Sequence, residues 1–168
     1  FGPLWSDRFK SVLIEGDFWA LRTVAAYIDL NAVRAGIVRD PKEYRFCGYG
    51  EAMGGGKLAR TGLAVLGRSL SGYRQTLYGA GGSEKEEKCS IDREEVLKVL
   101  QEQKGRLPLA TVLRCRVRYF TDGLYLGSPE FVERQLSTED TLTKNPRRPR
   151  LMEGADWGRM AVGRGIRK

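Results

Sequence analysis

The sequence predicts an α+β protein in which helices predominate. Residues 17–38 carry apolar side chains at intervals of three and four, which is the period of an amphipathic helix. Residues 8–15 have apolar side chains toward both faces near their end, which is typical of a covered strand. After residue 57, several shorter helical segments are separated by glycine and proline. One strand and one long helix, followed by short helices, is therefore the expected order.

The segment 17–38 is predicted to be one continuous helix. Asp17 is a suitable N-cap, because its carboxylate can accept the amide hydrogens of the first turn, and Gly36 with Pro41 marks the end. An apolar stripe is expected to face the core, and it consists of Phe18, Leu21, Ala25, Ile28, Ala32 and Ala35. The helix is therefore expected to be largely buried.

Three polar residues lie off this stripe. Tyr27 and Asn31 are four residues apart and Arg34 continues the row, so the three share one face of a helix. Two interpretations stay open at this point. Tyr27 is either a packing residue at the rim of the core with one polar end, or part of a functional group.

The sequence motif in the same segment indicates a protein family. Residues 27–38, YIDLNAVRAGIV, resemble the Y-I-x-x-N-P-V-R-A-G-[LI]-V segment of the IS200-like, HUH-type transposases, and in particular of the REP-associated tyrosine transposases. Residues 4–11, LWSDRFKS, resemble their W-x-x-R-F-K-S strand. Residues 40–49 are similar to the D-P-x-x-Y segment that closes the catalytic domain. The resemblance runs in unbroken order through residues 4–49.

This resemblance implies a fold and a reaction. The chain would hold the strand and tyrosine helix of an incomplete ferredoxin-like transposase domain. Tyr27 would nick single-stranded hairpin DNA through a covalent phosphotyrosine, and Asn31 would help two histidines to hold Mg²⁺ or Mn²⁺. A phenol with a pKa near 10 is a poor nucleophile unless a cation activates the phosphate. Tyrosine and metal ligand must therefore meet at one phosphate, and residues four apart on one helix can do so.

The sequence departs from the family in two ways. It contains no histidine, so two of the three expected metal ligands are missing. We therefore expect the C-terminal portion of a longer protein, inactive on its own, and whether the chain is itself an enzyme stays open. Ala32 stands where the family usually has proline, which predicts a straighter helix with the Tyr27 and Asn31 geometry retained.

Three regions are predicted along the chain. Residues 1–56 would form the transposase part, and residues 57–88 a connector with helices at 57–66 and 69–78 followed by a linker. Residues 89–168 would form a basic helical region, similar to a helix-turn-helix module and ending in a flexible tail.

The charge distribution favours a nucleic-acid partner. The formal net charge is +8, and residues 112–168, with twelve basic and seven acidic side chains, hold +5 of it. Either a solvated basic surface or DNA binding explains this surplus. Arg114, Arg116 and Arg118 would share one face of a strand, whereas a helix would align only Arg114 and Arg118. The candidate DNA contacts are Arg8, Lys10, Arg34, Arg114, Arg116, Arg118, Arg147, Arg148 and Arg150.

The remaining expectations concern location and assembly. Three widely spaced cysteines with no C-x-x-C pair indicate reduced thiols of a cytoplasmic protein. No apolar run approaches the roughly 18 residues that span a bilayer, so no membrane partner is expected. A monomer and a homodimer both stay open. The alternative function is a non-catalytic basic helical module that binds DNA or RNA, with Tyr27 structural.

Overall fold

The computed structural model describes residues 11–67, 69–79, 107–139 and 147–164. They form an α+β fold in which helices predominate, as the sequence predicts. The first half contains β1 Leu13–Ile14, α1 Phe18–Asp29, α2 Asn31–Arg34, a 3₁₀ turn at Pro41–Glu43, α3 Gly48–Met53, α4 Lys57–Gly67 and α5 Leu70–Tyr78. The second contains α6 Leu109–Arg114, α7 Tyr119–Asp122, β2 Gly123–Gly127, α8 Pro129–Glu139, β3 Arg150–Leu151 and β4 Ala161–Arg164.

The four strands form one mixed sheet in the order β1-β2-β4-β3. β1 runs parallel to β2, with Leu13 opposite Tyr125, whereas β4 is antiparallel to both β2 and β3. The region 89–168, predicted to be helical with a flexible tail, therefore also contributes three of the four strands. The sequence of a short apolar run such as residues 123–127 does not show whether it forms a strand or a helix, because pairing with neighbouring strands decides this.

The predicted strand at 8–15 is confirmed in part. Residues 8–10 lie outside the described residues, and pairing is seen at Leu13–Ile14. Glu15 follows directly, and its Oε1 accepts a hydrogen bond from Ser128 Oγ at 3.0 Å. Ser128 caps α8, since its Oγ accepts from the Phe131 amide at 3.2 Å. The end of β1 is thereby tied to the start of α8.

The prediction of one straight helix over 17–38 is wrong. Asp17 caps α1 as expected, but α1 ends at Asp29, Leu30 has ψ near 0°, and α2 follows as a separate short turn. In a continuous helix the Tyr27 carbonyl would accept the Asn31 amide. Here that carbonyl accepts Arg34 Nη2 at 2.6 Å instead, so a side-chain contact replaces a helical one.

The interpretation of the apolar stripe is also wrong. Phe18 and Leu21 are each 37% exposed and Ile28 is 61% exposed, although Ala32 is buried. The buried residues of α1 are instead Ala20, Thr23, Val24, Ala26 and Asp29. Period alone predicts a helix without deciding which face is covered, and small residues such as alanine allow neighbouring helices to approach closely.

The helices predicted at 57–66 and 69–78 are confirmed as α4 and α5, and Ser69 Oγ caps α5 by accepting the Gly72 amide at 3.0 Å. Helix α1 packs on α4, α5 and α6. One hydrophobic core draws on described residues of all three predicted regions, among them Leu30, Tyr49, Tyr73, Leu77, Leu113, Leu126 and Val162. The boundaries near residues 56 and 88 stay predictions.

A buried carboxylate joins three helices inside this core. Asp29, at the end of α1, accepts the Tyr49 amide of α3 at 3.2 Å and the Tyr73 hydroxyl of α5 at 2.7 Å. Burial raises the pKa of the Asp29 carboxyl, and hydrogen bonds, first of all from Tyr73, oppose that rise. Nothing in the local sequence pattern indicated this role.

A second buried carboxylate, Asp40, lies beside α5. It accepts the Tyr78 hydroxyl and the Lys42 amide, and its Oδ2 is 3.2 Å from the Lys42 ammonium. Burial raises the pKa of the Asp40 carboxyl, but the bonds from Tyr78 and Lys42 outweigh it, so the net pKa lies below the ordinary value. The two buried carboxyl groups are thus shifted in opposite directions.

The cysteines differ from the expectation of reduced thiols. Cys47 is a buried free cysteine, whereas Cys115 takes part in a disulfide, so the expectation is wrong for Cys115. One ground for a cytoplasmic location is thereby removed, and that location stays a prediction. Among the described helices, none combines the length and the apolar character needed to cross a membrane.

Tyr73→Phe should lower the free energy of unfolding by about 1–3 kcal/mol, because the buried Asp29 carboxylate loses a donor that nothing replaces. Urea denaturation checks this. Tyr44→Phe is the control, since Tyr44 is only partly buried. Equal stability of Tyr73→Phe and the unaltered protein would contradict the role of Asp29.

Asp29→Asn and Asp40→Asn should show opposite pH trends. An acid with a raised folded pKa contributes less stability as pH rises from the ordinary value near 4 through the folded value. The loss on Asp29→Asn should therefore grow as pH falls. An acid with a lowered pKa loses its contribution as pH falls, so the loss on Asp40→Asn should shrink. Urea titrations from pH 7 to pH 3 measure both, and the same trend for both variants would refute the assignment.

Candidate functional site around Tyr27

Tyr27 lies in the last turn of α1 with its side chain half-buried. The Arg34 guanidinium carbon is 3.7 Å from the centre of its ring, which is the distance of a close cation–π contact. The ring of Phe120, from α7, lies with its centre 4.5 Å from that of Tyr27. The phenol ring is therefore held by two side chains that do not involve its hydroxyl.

Arg34 links the two ends of the site. Its Nη1 donates to the Leu113 carbonyl of α6 at 2.8 Å, and its Nη2 donates to the Tyr27 carbonyl at 2.6 Å. Both carbonyls belong to the last turn of a helix, where they lack helical partners and attract cations. Burial lowers the pKa of the Arg34 guanidinium, and Tyr27 opposes this. Arginine stays charged in proteins, so a fixed positive charge lies beside Tyr27.

Tyr27, Asn31 and Arg34 lie together, as their helical spacing predicts. Asn31 is exposed at the start of α2, and its Oδ1 lies 3.5 Å from Arg34 Nη2. The three residues stay adjacent even though α1 ends between the first two. The structure therefore preserves the row of polar side chains without the continuous helix that predicted it.

A divalent metal does not fit the residues around Asn31. The Asn31 oxygen faces the Arg34 cation, and the neighbouring Asp29 carboxylate points instead to Tyr49 and Tyr73. Within residues 11–67, 69–79, 107–139 and 147–164, no group of three histidine, cysteine or acidic side chains could hold a metal. Mg²⁺ or Mn²⁺ stays an expectation from the family resemblance, and Asn31 stays an expected ligand.

Arg114, Arg116 and Arg118 lie where neither predicted arrangement holds. Arg114 ends α6, Cys115 adopts an extended conformation with ψ of 163°, and Arg118 directly precedes α7. A strand or a single helix through all three is therefore wrong. Arg116 and Arg118 are exposed, while Arg114 is half-buried against the ring of Tyr78.

The remaining basic candidates lie elsewhere. Arg147 donates to the Arg164 carbonyl at 3.3 Å, Arg148 is exposed, and Arg150 opens the edge strand β3. Arg150 is paired with Val162 of β4. Arg8 and Lys10 lie outside the described residues.

The sequence analysis missed a second cluster. The Arg74 guanidinium carbon lies 4.7 Å from the ring centre of Tyr78, and Arg114 lies 5.3 Å from the same ring centre. Arg74 Nη1 also donates to the Tyr49 hydroxyl at 3.0 Å. The i,i+4 spacing of Arg74 and Tyr78 on α5 could have indicated the first contact. Arg114 comes from a distant segment, so no local pattern indicated it.

Comparison of the chain with models of protein families, with curated proteins and with solved structures found no match. The transposase resemblance thus rests on the motifs in residues 4–49. Family membership stays a prediction.

Arg34→Gln should lower the free energy of unfolding by about 1.5–3 kcal/mol, because hydrogen bonds to a charged group at two helix ends are lost. Tyr27→Phe should change it by less than about 0.5 kcal/mol, since the ring contacts with Arg34 and Phe120 remain. Urea denaturation of the two variants compares them. A loss for Tyr27→Phe as large as that for Arg34→Gln would show that the hydroxyl is structural.

Proposed function

We propose that this protein binds single-stranded DNA and that Tyr27 is the nucleophile of a DNA-nicking reaction of the IS200-like, REP-associated tyrosine type. The observation that carries the proposal is the cluster of Tyr27, Asn31 and Arg34 at the end of α1, with the phenol ring held by Arg34 and Phe120. An immobilised ring aims its hydroxyl in one direction, which favours attack on a bound phosphate.

In this reaction the Tyr27 oxygen would bond to the phosphorus of the strand. One phosphorus–oxygen ester bond breaks, the departing strand end takes up a proton, and the phenolic proton passes to solvent. The phosphotyrosine diester retains the energy needed for rejoining. Arg34 makes three contacts with its two Nη atoms, so some of its five N–H groups remain for a phosphate oxygen.

The second candidate is a non-catalytic basic module that binds DNA or RNA. The net charge of +8 favours this candidate, because a basic protein can bind nucleic acid without cleaving it. The poor fit of Asn31 to a metal favours it as well, because the nicking reaction requires one. A cytoplasmic location and a hairpin DNA partner belong to the first proposal. Covalent attachment to DNA separates the two candidates.

The 168-residue chain should form no covalent adduct with DNA, because it has no histidine and Asn31 alone cannot fix a metal. Incubation with a fluorescent single-stranded hairpin and Mn²⁺, followed by denaturing electrophoresis, measures this. A Tyr27-dependent adduct from the 168-residue chain would contradict the prediction.

The chain extended at its N-terminus by a strand that carries the two histidines implied by the resemblance should form the adduct, and Tyr27→Phe should abolish it while leaving the affinity for the hairpin unchanged. Tyr44→Phe is the matched control, because Tyr44 is another partly buried tyrosine, away from Arg34 and Phe120. An adduct that survives Tyr27→Phe would show that another residue is the nucleophile. DNA binding by the extended protein without any adduct would favour the non-catalytic module.

A further inference from the structure

The two clusters described above are joined through one residue. Arg34, which contacts the Tyr27 ring at 3.7 Å, donates to the carbonyl of Leu113 at 2.8 Å. The next residue is Arg114, whose guanidinium faces the Tyr78 ring. Arg74 covers the same ring and reaches the Tyr49 hydroxyl. Contacts of arginines with tyrosines therefore extend from the end of α1 through α2 and α6 to α5.

We propose that this surface is the binding site for the phosphate backbone of single-stranded DNA, and that it leads the strand to Tyr27. We call it the tyrosine–arginine track, and its members are Tyr27, Arg34, Arg114, Tyr78 and Arg74, while the buried Tyr49 holds Arg74 from below. The proposal rests on the proposed function only for the role of Tyr27, since binding along the track does not require nicking.

The placement of the charges supports an anionic ligand. Arg74 and Arg114 lie 4.7 and 5.3 Å from one ring centre, so their guanidinium carbons are at most about 10 Å apart. No carboxylate among the described residues forms an ion pair with either. Like charges held this close repel each other, and a phosphate between or along them removes that cost.

One acidic group lies near the track, and its charge is compensated. Asp40 accepts the Tyr78 hydroxyl, and its other oxygen is 3.2 Å from the Lys42 ammonium. The Asp40 carboxylate pairs with Lys42 and also attracts the Arg74 cation, so Arg34 and Arg114 remain as surplus charge. Asp40 also fixes the Tyr78 ring on which Arg74 and Arg114 lie.

The chemistry of the track suits a single strand. Proteins that bind single strands combine cations along the backbone with planar groups on which unpaired bases stack. A guanidinium held on an aromatic ring loses little further freedom on binding a phosphate, and its plane can also stack on a base. Paired bases in a duplex are not available for such stacking, so the track should prefer an unpaired strand.

The competing explanation is that these contacts only stabilise the fold. The test uses the Tyr27→Phe protein throughout, so that nicking plays no part. It measures the anisotropy of a fluorescent 20-nucleotide oligothymidine between about 0.05 and 0.3 M salt, the range in which phosphate contacts respond. Arg114→Gln is the main variant, because the Arg114 guanidinium lies on the ring of Tyr78. Arg134→Gln is the matched control, since Arg134 contacts Phe131 at 5.9 Å on α8, which packs on β2 and β4 instead.

Each phosphate neutralised on a single strand contributes about −0.7 to the log–log slope, so Arg114→Gln should flatten the slope by about 0.7 and weaken binding about 5-fold at 0.1 M salt. Combining it with Arg74→Gln should flatten the slope by about 1.4. Arg114→Lys keeps the charge and should keep the slope, which separates an electrostatic role from a structural one. Arg134→Gln should leave the slope unchanged.

Three results would overturn the proposal. Arg114→Gln could leave affinity and slope unchanged, Arg134→Gln could reduce them equally, or Arg114→Lys could fail to preserve the slope. Equal or tighter binding of a duplex of the same length would remove the single-strand assignment. None of these results bears on the Tyr27 adduct, so failure of the track and failure of the nicking proposal are distinguishable.

Discussion

The hydrogen bonds to the buried Asp29 carboxylate are the constraint on which the rest of the structure depends. A buried carboxylate without donors costs several kcal/mol, so α3 and α5 must approach the end of α1 closely enough to supply Tyr49 N–H and Tyr73 O–H. This requirement fixes three helices at one point of the core. Asp29 also lies two residues after Tyr27, so the hydrogen bonds that hold Asp29 also place the candidate site.

The break after Asp29 gives Arg34 its position. With α1 ended, the short turn α2 directs the Arg34 guanidinium back onto Tyr27 and across to the end of α6. The same side chain therefore closes two helix ends and places a positive charge beside the candidate nucleophile. Structural and electrostatic roles coincide in Arg34, whereas Arg114 contributes charge through a contact with an aromatic ring alone.

The sequence predicts features that depend on a few neighbouring residues, such as helix caps. It does not predict contacts between segments that are far apart in the chain. The caps at Asp17, Ser69 and Ser128 are decided within a few residues, and the one at Asp17 was predicted correctly. The grouping of Tyr27, Asn31 and Arg34 also follows from helical spacing.

The buried face of α1 and the strand β2 depend on segments far away in the chain, so local pattern could not decide them. The shared contact of Arg74 and Arg114 with Tyr78 has the same origin, because α5 and α6 meet only in the folded chain.

The most direct test is whether the Tyr27 cluster and the Tyr78 cluster act as one DNA-binding surface. Oligothymidine can be titrated into the ¹⁵N-labelled protein while the arginine side-chain Nε–Hε signals are followed by NMR. The account predicts that Arg34, Arg74 and Arg114 shift together while Arg134 stays unchanged. Shifts confined to Arg134, or to only one of the three, would contradict it.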